Sequence, residues 1–395
     1  MAKWRPLVFV GAGVFVFIFY VGFAWRILDP LLPSRNYLPE EFSEKSLEGG
    51  ANQRGDTASN LIETETWDSS LEGKLPAAFE RALKTYSAVA QADVKIVLLV
   101  AYYRSGSTFV GELLSSGART FYHFEPLMPF TVSGRIRPGR QRHAFELLDE
   151  LVRCRMQNVP LYTVWLENHF EYVEKNHFLA EVCEGGQSCT SPAHMAALCS
   201  RAEQQVLKFT RLYVSQVADW IERNPDIAPA VQVVHLVRDP RAVYSSRRGL
   251  RWCTDNAACD SAEALCAQMR SDLDSFEELA KRMQPNRTLR LRFEDLAADP
   301  ENEAPQLFRY LGLNYTTAVS QYVKSHTRAT FRDLRNAHST KRNPHRVAVE
   351  WKRKLSNGTI HAIERACSDV LLRLNYELLT LSEKGQIPAP AWFKG

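Results

Sequence analysis

The sequence predicts an α/β protein: a mainly parallel sheet with helices on both faces, carrying a phosphate-loop-like turn. Three observations predict it. From Val94 to Val100 an apolar, β-branched run reads as a buried strand, and the turn Arg104-Ser105-Gly106-Ser107-Thr108 leads on into a helix with Phe109, Val110, Leu113 and Leu114 on one face. From Ala230 to Val237 a second such strand runs straight into Arg238-Asp239-Pro240 and another helix. No internal repeat or long low-complexity tract competes with repeated strand–helix units.

The 395 residues suffice for one large domain plus extras, and 45% apolar with 24% charged residues is ordinary for a globular protein. A net charge of +4 permits an anionic ligand but argues for one only weakly. Eight cysteines are present: Cys154, Cys183, Cys189, Cys199, Cys253, Cys259, Cys266 and Cys367. They form no CxxC and meet no ligand-like histidine pairing, so no zinc site is expected. An even count with two local clusters suggests disulfides in an oxidising compartment, with the pairing open.

In chain order, Leu7–Trp25 is apolar, uncharged and just long enough to span a bilayer, with Lys3 and Arg5 ahead of it. It is expected to be an uncleaved signal anchor with residues 1–6 cytoplasmic. A cleaved signal peptide is the alternative, but no Ala-x-Ala-like site follows. A short, Phe-rich span suits the thinner membranes of the early secretory pathway. Residues 26–92 read as a luminal stem, polar and acidic-leaning between Ser34 and Leu75, ending in a helix from Pro76 to Gln91. The main folded domain is expected at 93–385, with a tail at 386–395. Within it, Arg119–Phe124 is extended and ends at Glu125, which Pro126 pushes toward extended geometry. Val206–Leu212 is a third strand candidate, holding Lys208 and Arg211. Leu289–Phe293 alternates and reads as a strand with one wet face, and beyond it the chain is mostly helical. Asn286, Asn314 and Asn357 each head a glycosylation sequon.

The turn at Arg104–Thr108 suits an anion. The first N–H groups of a helix have no internal partners and carry the positive end of its dipole. Gly106 lets the backbone approach closely, Ser107 and Thr108 add hydroxyls, and Arg104 adds a forked cation. The Walker lysine is missing, and so are GxGxxG and GxSxG. Arg238 stands at a strand's carboxyl end, where open α/β sheets bind ligands, and Ser246 follows about two helical turns on.

Two anion sites on two strand ends without a Walker lysine resemble the sulfotransferase superfamily. Arg104-Ser-Gly-Ser-Thr-Phe109 is similar to its 5′-phosphosulfate loop, and Leu236-Val-Arg-Asp-Pro-Arg-Ala-Val-Tyr-Ser-Ser-Arg247 to its 3′-phosphate motif. Arg in place of Lys in the loop, Phe124-Glu-Pro-Leu127, Arg292-Phe-Glu-Asp-Leu296 and Ser339-Thr-Lys-Arg-Asn343 with Trp351 resemble the Golgi carbohydrate 6-O-sulfotransferase branch. The likeness runs over roughly residues 94–380. It implies the sulfotransferase fold and 3′-phosphoadenosine 5′-phosphosulfate (PAPS) as sulfate donor, with no metal. Arg104 and the stretch Ser105, Gly106, Ser107, Thr108, Phe109 and Val110 would hold the 5′-phosphosulfate. Arg238 and Ser246 would hold the 3′-phosphate, with Lys341 and Arg342 closing over it or meeting an anionic glycan.

The resemblance supports Glu125 as the base for the acceptor hydroxyl. His123, with a more convenient pKa, is the rival, since two residues apart on a strand the two share a face. Lys208 and Arg211 would stabilise the bridging oxygen or hold an acidic sugar, a solvated strand face being the plainer reading. Trp351 is either substrate-binding or core. The expected reaction is sulfate transfer to the 6-hydroxyl of N-acetylglucosamine, galactose or N-acetylgalactosamine in a type II Golgi membrane protein. Its partners would be a glycan acceptor and the membrane but no nucleic acid, with a homodimer left open. The alternatives are a tyrosylprotein sulfotransferase and a luminal glycan-binding protein without turnover. The cysteine-rich stretches Cys183–Cys199 and Trp252–Cys266 match nothing in the resemblance and are expected to border the acceptor site.

Overall fold

The computed structural model describes residues 76–131, 134–183, 189–254, 256, 259–327, 333 and 340–379. The expected anchor at Leu7–Trp25, the stem up to residue 75 and the tail at 386–395 lie outside them. Among the described residues no helix is long and apolar enough to cross a membrane.

Five strands make one wholly parallel sheet: β1 (Lys95–Val100), β2 (Thr120–Phe124), β3 (Gln204–Phe209), β4 (Val231–Val237) and β5 (Thr288–Arg292). Their order across the sheet is β2-β3-β1-β4-β5. From β1 the chain goes out to the edge strand β2, comes back with β3 between β2 and β1, then crosses to build β4 and β5 on the other side of β1. The crevice at such a reversal lies between the carboxyl ends of β1 and β4, which brings the two anion motifs side by side. β3 ends at Phe209, so Arg211 lies beyond the strand and not on it as expected.

Helices cover both faces, and this dictates the continuous apolar runs. Along β1, Ile96, Leu98 and Val100 join Phe121, Leu207 and Trp220 in one core. Val97 and Leu99 join Val206, Val234 and Leu291 in the other. β5 alternates as expected. Leu289 and Leu291 face the second core, while Thr288, Arg290 and Arg292 on the opposite face are half-buried, so that face is only partly wet. Arg290 lies 5.2 Å from the Phe276 ring and Arg292 4.4 Å from the Tyr376 ring, so aromatic faces cover part of it.

Helix α1 (Ala77–Thr85) is shorter than the expected Pro76–Gln91, and a 3-10 turn, Gln91–Asp93, leads into β1. Phe79 of α1 is fully buried in the first core, so the folded part begins before residue 93. Helix α2 (Ser107–Ser115) follows β1 and α3 (Pro240–Arg247) follows β4. α3 starts where it does because Pro240 occupies its first turn and the Asp239 carboxylate accepts the Arg241 N–H at 2.8 Å. The long α4 (Ala262–Arg282), capped by the Ser261 hydroxyl, is stapled to α5 (Asn357–Arg373) by the disulfide Cys266–Cys367. Cys154–Cys199 and Cys253–Cys259 are also bonded, while Cys183 and Cys189 are buried thiols.

Candidate active site

The carboxyl ends of the strands open into one cleft of about 920 Å³, lined by Arg104, Thr108, Glu125, Lys208, Arg238 and Arg342 among others. Its floor is the turn after β1. Arg104 and Gly106 both take positive φ, 69° and 90°. A Cβ on Gly106 would lie 2.4 Å from Cδ2 of Phe293, so only glycine fits beneath that ring. Ser105 is wholly buried; its hydroxyl donates to Tyr102 O at 2.8 Å and closes the turn. Its side chain therefore shapes the loop and does not line the cleft. Ser107, Thr108 and Phe109 line the cleft at the start of α2. Val110 does not: it is fully buried, and its N–H donates to Gly106 O at 3.2 Å.

The two anion motifs touch. Arg104 Nε donates to Ser246 Oγ at 3.0 Å. Arg238 donates from Nη1 to Arg104 O at 2.9 Å and from Nη2 to Val347 O at 2.8 Å, while its buried Nε has no hydrogen-bond partner among the described residues. Burial, with the charges of Arg238 and Arg342, lowers the Arg104 guanidinium to about 10. Cations forced together out of water favour an anion among them. Arg342 is held there by its own N–H, which donates to His326 O at 3.2 Å. Lys341, expected beside it, is exposed and does not line the cleft.

Glu125 follows β2 with a φ of 48° and is 8% exposed. Its register explains its neighbours. Phe124 pairs with Lys208 across β2 and β3, so the residues just past each strand meet. The carboxylate accepts the Thr210 hydroxyl at 2.8 Å, Lys208 Nζ lies 3.0 Å away and Arg211 Nη1 2.5 Å. Burial pushes the Glu125 carboxyl up, but the Lys208 and Arg211 charges and the hydrogen bonds from Lys208 and Thr210 outweigh it and hold it below its ordinary value. Lys208 and Arg211 are thus buried partners of a carboxylate, and the solvated strand face is excluded. Lys208 also reaches Thr108 Oγ1 at 3.3 Å, which links Glu125 to the loop after β1.

His123 does not share this cleft. The positive φ at Glu125 breaks strand alternation, and His123 sits 3% exposed against the Phe121 ring. Burial lowers its imidazole to about 3, and the ring does not line the cleft. Trp351 belongs to the core but also lines the cleft, with the Arg241 guanidinium 4.3 Å above its ring. Asn286, Asn314 and Asn357 are all exposed.

Sequence reasoning missed three participants. Thr210 lies between Lys208 and Arg211, and only the register puts it on Glu125. Phe293 roofs Gly106 and lies 4.8 Å from Arg238. Glu112 of α2 is 3% exposed and accepts from Lys175, Tyr322 and Thr340, tying the segment before Arg342 to the loop helix. An acidic residue in a helix after a Gly turn gives no sequence signal of that task. Among the described residues no group of three or more His, Cys, Asp or Glu is placed to hold a metal ion.

The model of the sulfotransferase family matches residues 97–317. Carbohydrate sulfotransferase 3 of Homo sapiens is 25% identical over 326 residues, covering 71% of this chain and 67% of the relative. Carbohydrate sulfotransferase 1 of Rattus norvegicus is 25% identical over 343 residues, covering 74% and 82%. A solved structure, the sulfotransferase domain from the curacin biosynthetic pathway, aligns with a TM-score of 0.42 at 15% identity, over 74% of this chain and all of that one.

Proposed function

This chain belongs to the sulfotransferase family, and from that premise we propose that it transfers sulfate from PAPS to a hydroxyl of a glycan, the 6-hydroxyl of N-acetylglucosamine, galactose or N-acetylgalactosamine. One observation carries the reading: the Arg104–Ser246 contact joins both anion motifs in the cleft that also holds Glu125. The donor's chemistry fits the cleft. Its two phosphate ends call for two cationic sites, and Arg104, Arg238 and Arg342 crowd one place, with the Arg238 Nε unsatisfied among the described residues. Gly106 admits no side chain where backbone N–H groups must approach a phosphate.

When bound, the donor supplies a sulfuryl group on a phosphate leaving group. The acceptor oxygen forms a bond to sulfur as the sulfur–oxygen bond to the 5′-phosphate breaks, and the hydroxyl proton passes to Glu125. Arg104 and the start of α2 take up the charge that develops on the phosphate. Lys208 stands between Glu125 and Thr108 and is placed to follow the charge, leaving the carboxylate as negative charge builds on the transferring group. That release raises the basicity of Glu125 when the proton must be taken.

The glycan acceptor is supported by the carbohydrate sulfotransferases that align over most of this chain. The luminal, type II placement is supported by the apolar run at Leu7–Trp25, three exposed sequon asparagines and three disulfides. The test offers the full-length chain labelled PAPS with desulfated keratan, desulfated chondroitin, GlcNAc-terminated oligosaccharides and an acidic tyrosine peptide. Label on a glycan, released as a 6-sulfated monosaccharide, is the expected result. Label on the peptide alone overturns the glycan reading.

A further inference from the structure

Five large apolar side chains stay exposed among the described residues: Leu161, Val164, Trp252, Leu372 and Leu379. Only Trp252 lines the cleft. The fold gains little from a ring that is 37% exposed, so its presence at the mouth of a charged cleft needs another reason.

The surroundings hold that ring in place. Trp252 meets Tyr103 edge-on, with ring centres 5.5 Å apart. Tyr103 precedes Arg104, and its hydroxyl donates to Gly134 O at 2.8 Å. The next residue after Trp252, Cys253, is fully buried and bonded to Cys259. One buried side chain fastens both backbones: Arg247 donates from Nε to Tyr103 O at 3.2 Å and from Nη1 to Cys259 O at 3.4 Å. The aromatic pair also continues toward the carboxylate, because Arg211, which holds Glu125, lies 5.4 Å from the Tyr103 ring. A half-wet aromatic pair thus stands in the cleft beside the arginine that holds Glu125.

We propose that Trp252, braced by Tyr103, is the platform on which the acceptor's sugar ring stacks to present its hydroxyl to Glu125. The inference rests on the glycan reading above. A pyranose offers an apolar C–H face to an aromatic ring and keeps its hydroxyls at the edge. The donor's charged groups are already served by Arg104, Arg238 and Arg342, which leaves this pair to the acceptor.

The experiment measures steady-state transfer by the full chain to whichever panel glycan the wild type labels. Trp252→Ala and Trp252→Phe are compared with the wild type, and binding of adenosine 3′,5′-bisphosphate is measured beside them. Trp252→Ala is expected to raise the acceptor KM about 3- to 10-fold, with kcat and nucleotide affinity little changed. Trp252→Phe should recover most of that loss. Glycan added to the nucleotide-saturated wild type should also change tryptophan fluorescence, and Trp252→Phe should remove that change. An unaltered acceptor KM in Trp252→Ala, or a loss of nucleotide binding equal to the loss of acceptor binding, overturns the inference while glycan transfer stands. A wild type that labels only the peptide overturns the glycan reading and this inference together.

Discussion

The site depends on single side chains whose neighbours decide their chemistry. Glu125 was legible as a carboxylate at a strand end, but its state was not. Only the register of β2 on β3 shows that Lys208, Thr210 and Arg211 all converge on it. His123 was misplaced for a related reason, since alternation was carried one residue past the end of β2 into a left-handed turn. Lys208 lowers the Glu125 pKa, so Lys208→Met is expected to let it rise. Because the base must be ionised, the acid limb of the kcat/KM profile should move to higher pH in that variant. Gly106→Ala puts a Cβ into the Phe293 ring at a φ of 90°. It is expected to lower stability by about 1–3 kcal/mol and to abolish nucleotide binding, read by thermal unfolding and calorimetry.

At the scale of elements, the strands were legible because β-branched apolar runs between turn residues admit few other structures. The parallel arrangement was legible too, since each strand is followed by a helix, but the order of the strands across the sheet was not. The boundaries were less so: α1 stops at Thr85 while the expected helix ran on to Gln91, and β3 ends short of Arg211. Cysteine pairing was not legible at all, because it depends on which helices lie against each other. α4 and α5 pack together, and Cys266–Cys367 joins them across a sequence separation of 101. Closing so long a loop restricts the unfolded chain, so Cys367→Ser is expected to cost about 4–5 kcal/mol on the loop-entropy account. Thermal unfolding under non-reducing conditions measures this, and reductant should lower the wild type toward the variant.

For the whole molecule, two buried histidines set an acid limit on stability. His123 in the first core and His235 beside Tyr102 are both lowered by burial from 6.5 to about 3. The unfolded chain therefore binds two protons that the folded chain does not between those pH values. Stability should be full above pH 6.5 and fall below it, by about 1.4 kcal/mol per pH unit for each histidine. Glu125, held below its ordinary value, adds a further loss at lower pH as it is protonated. Denaturant unfolding from pH 8 to pH 4 reads the slope, and His235→Gln should reduce it. The central claim is that one cleft holds both the donor and the base. Its most direct test measures, for wild type and Glu125→Gln, the affinity for adenosine 3′,5′-bisphosphate and the rate of sulfate transfer from PAPS to glycan. The account predicts unchanged nucleotide affinity with transfer reduced about 100- to 10,000-fold. Transfer that survives in Glu125→Gln, or nucleotide binding absent from the wild type, would contradict it.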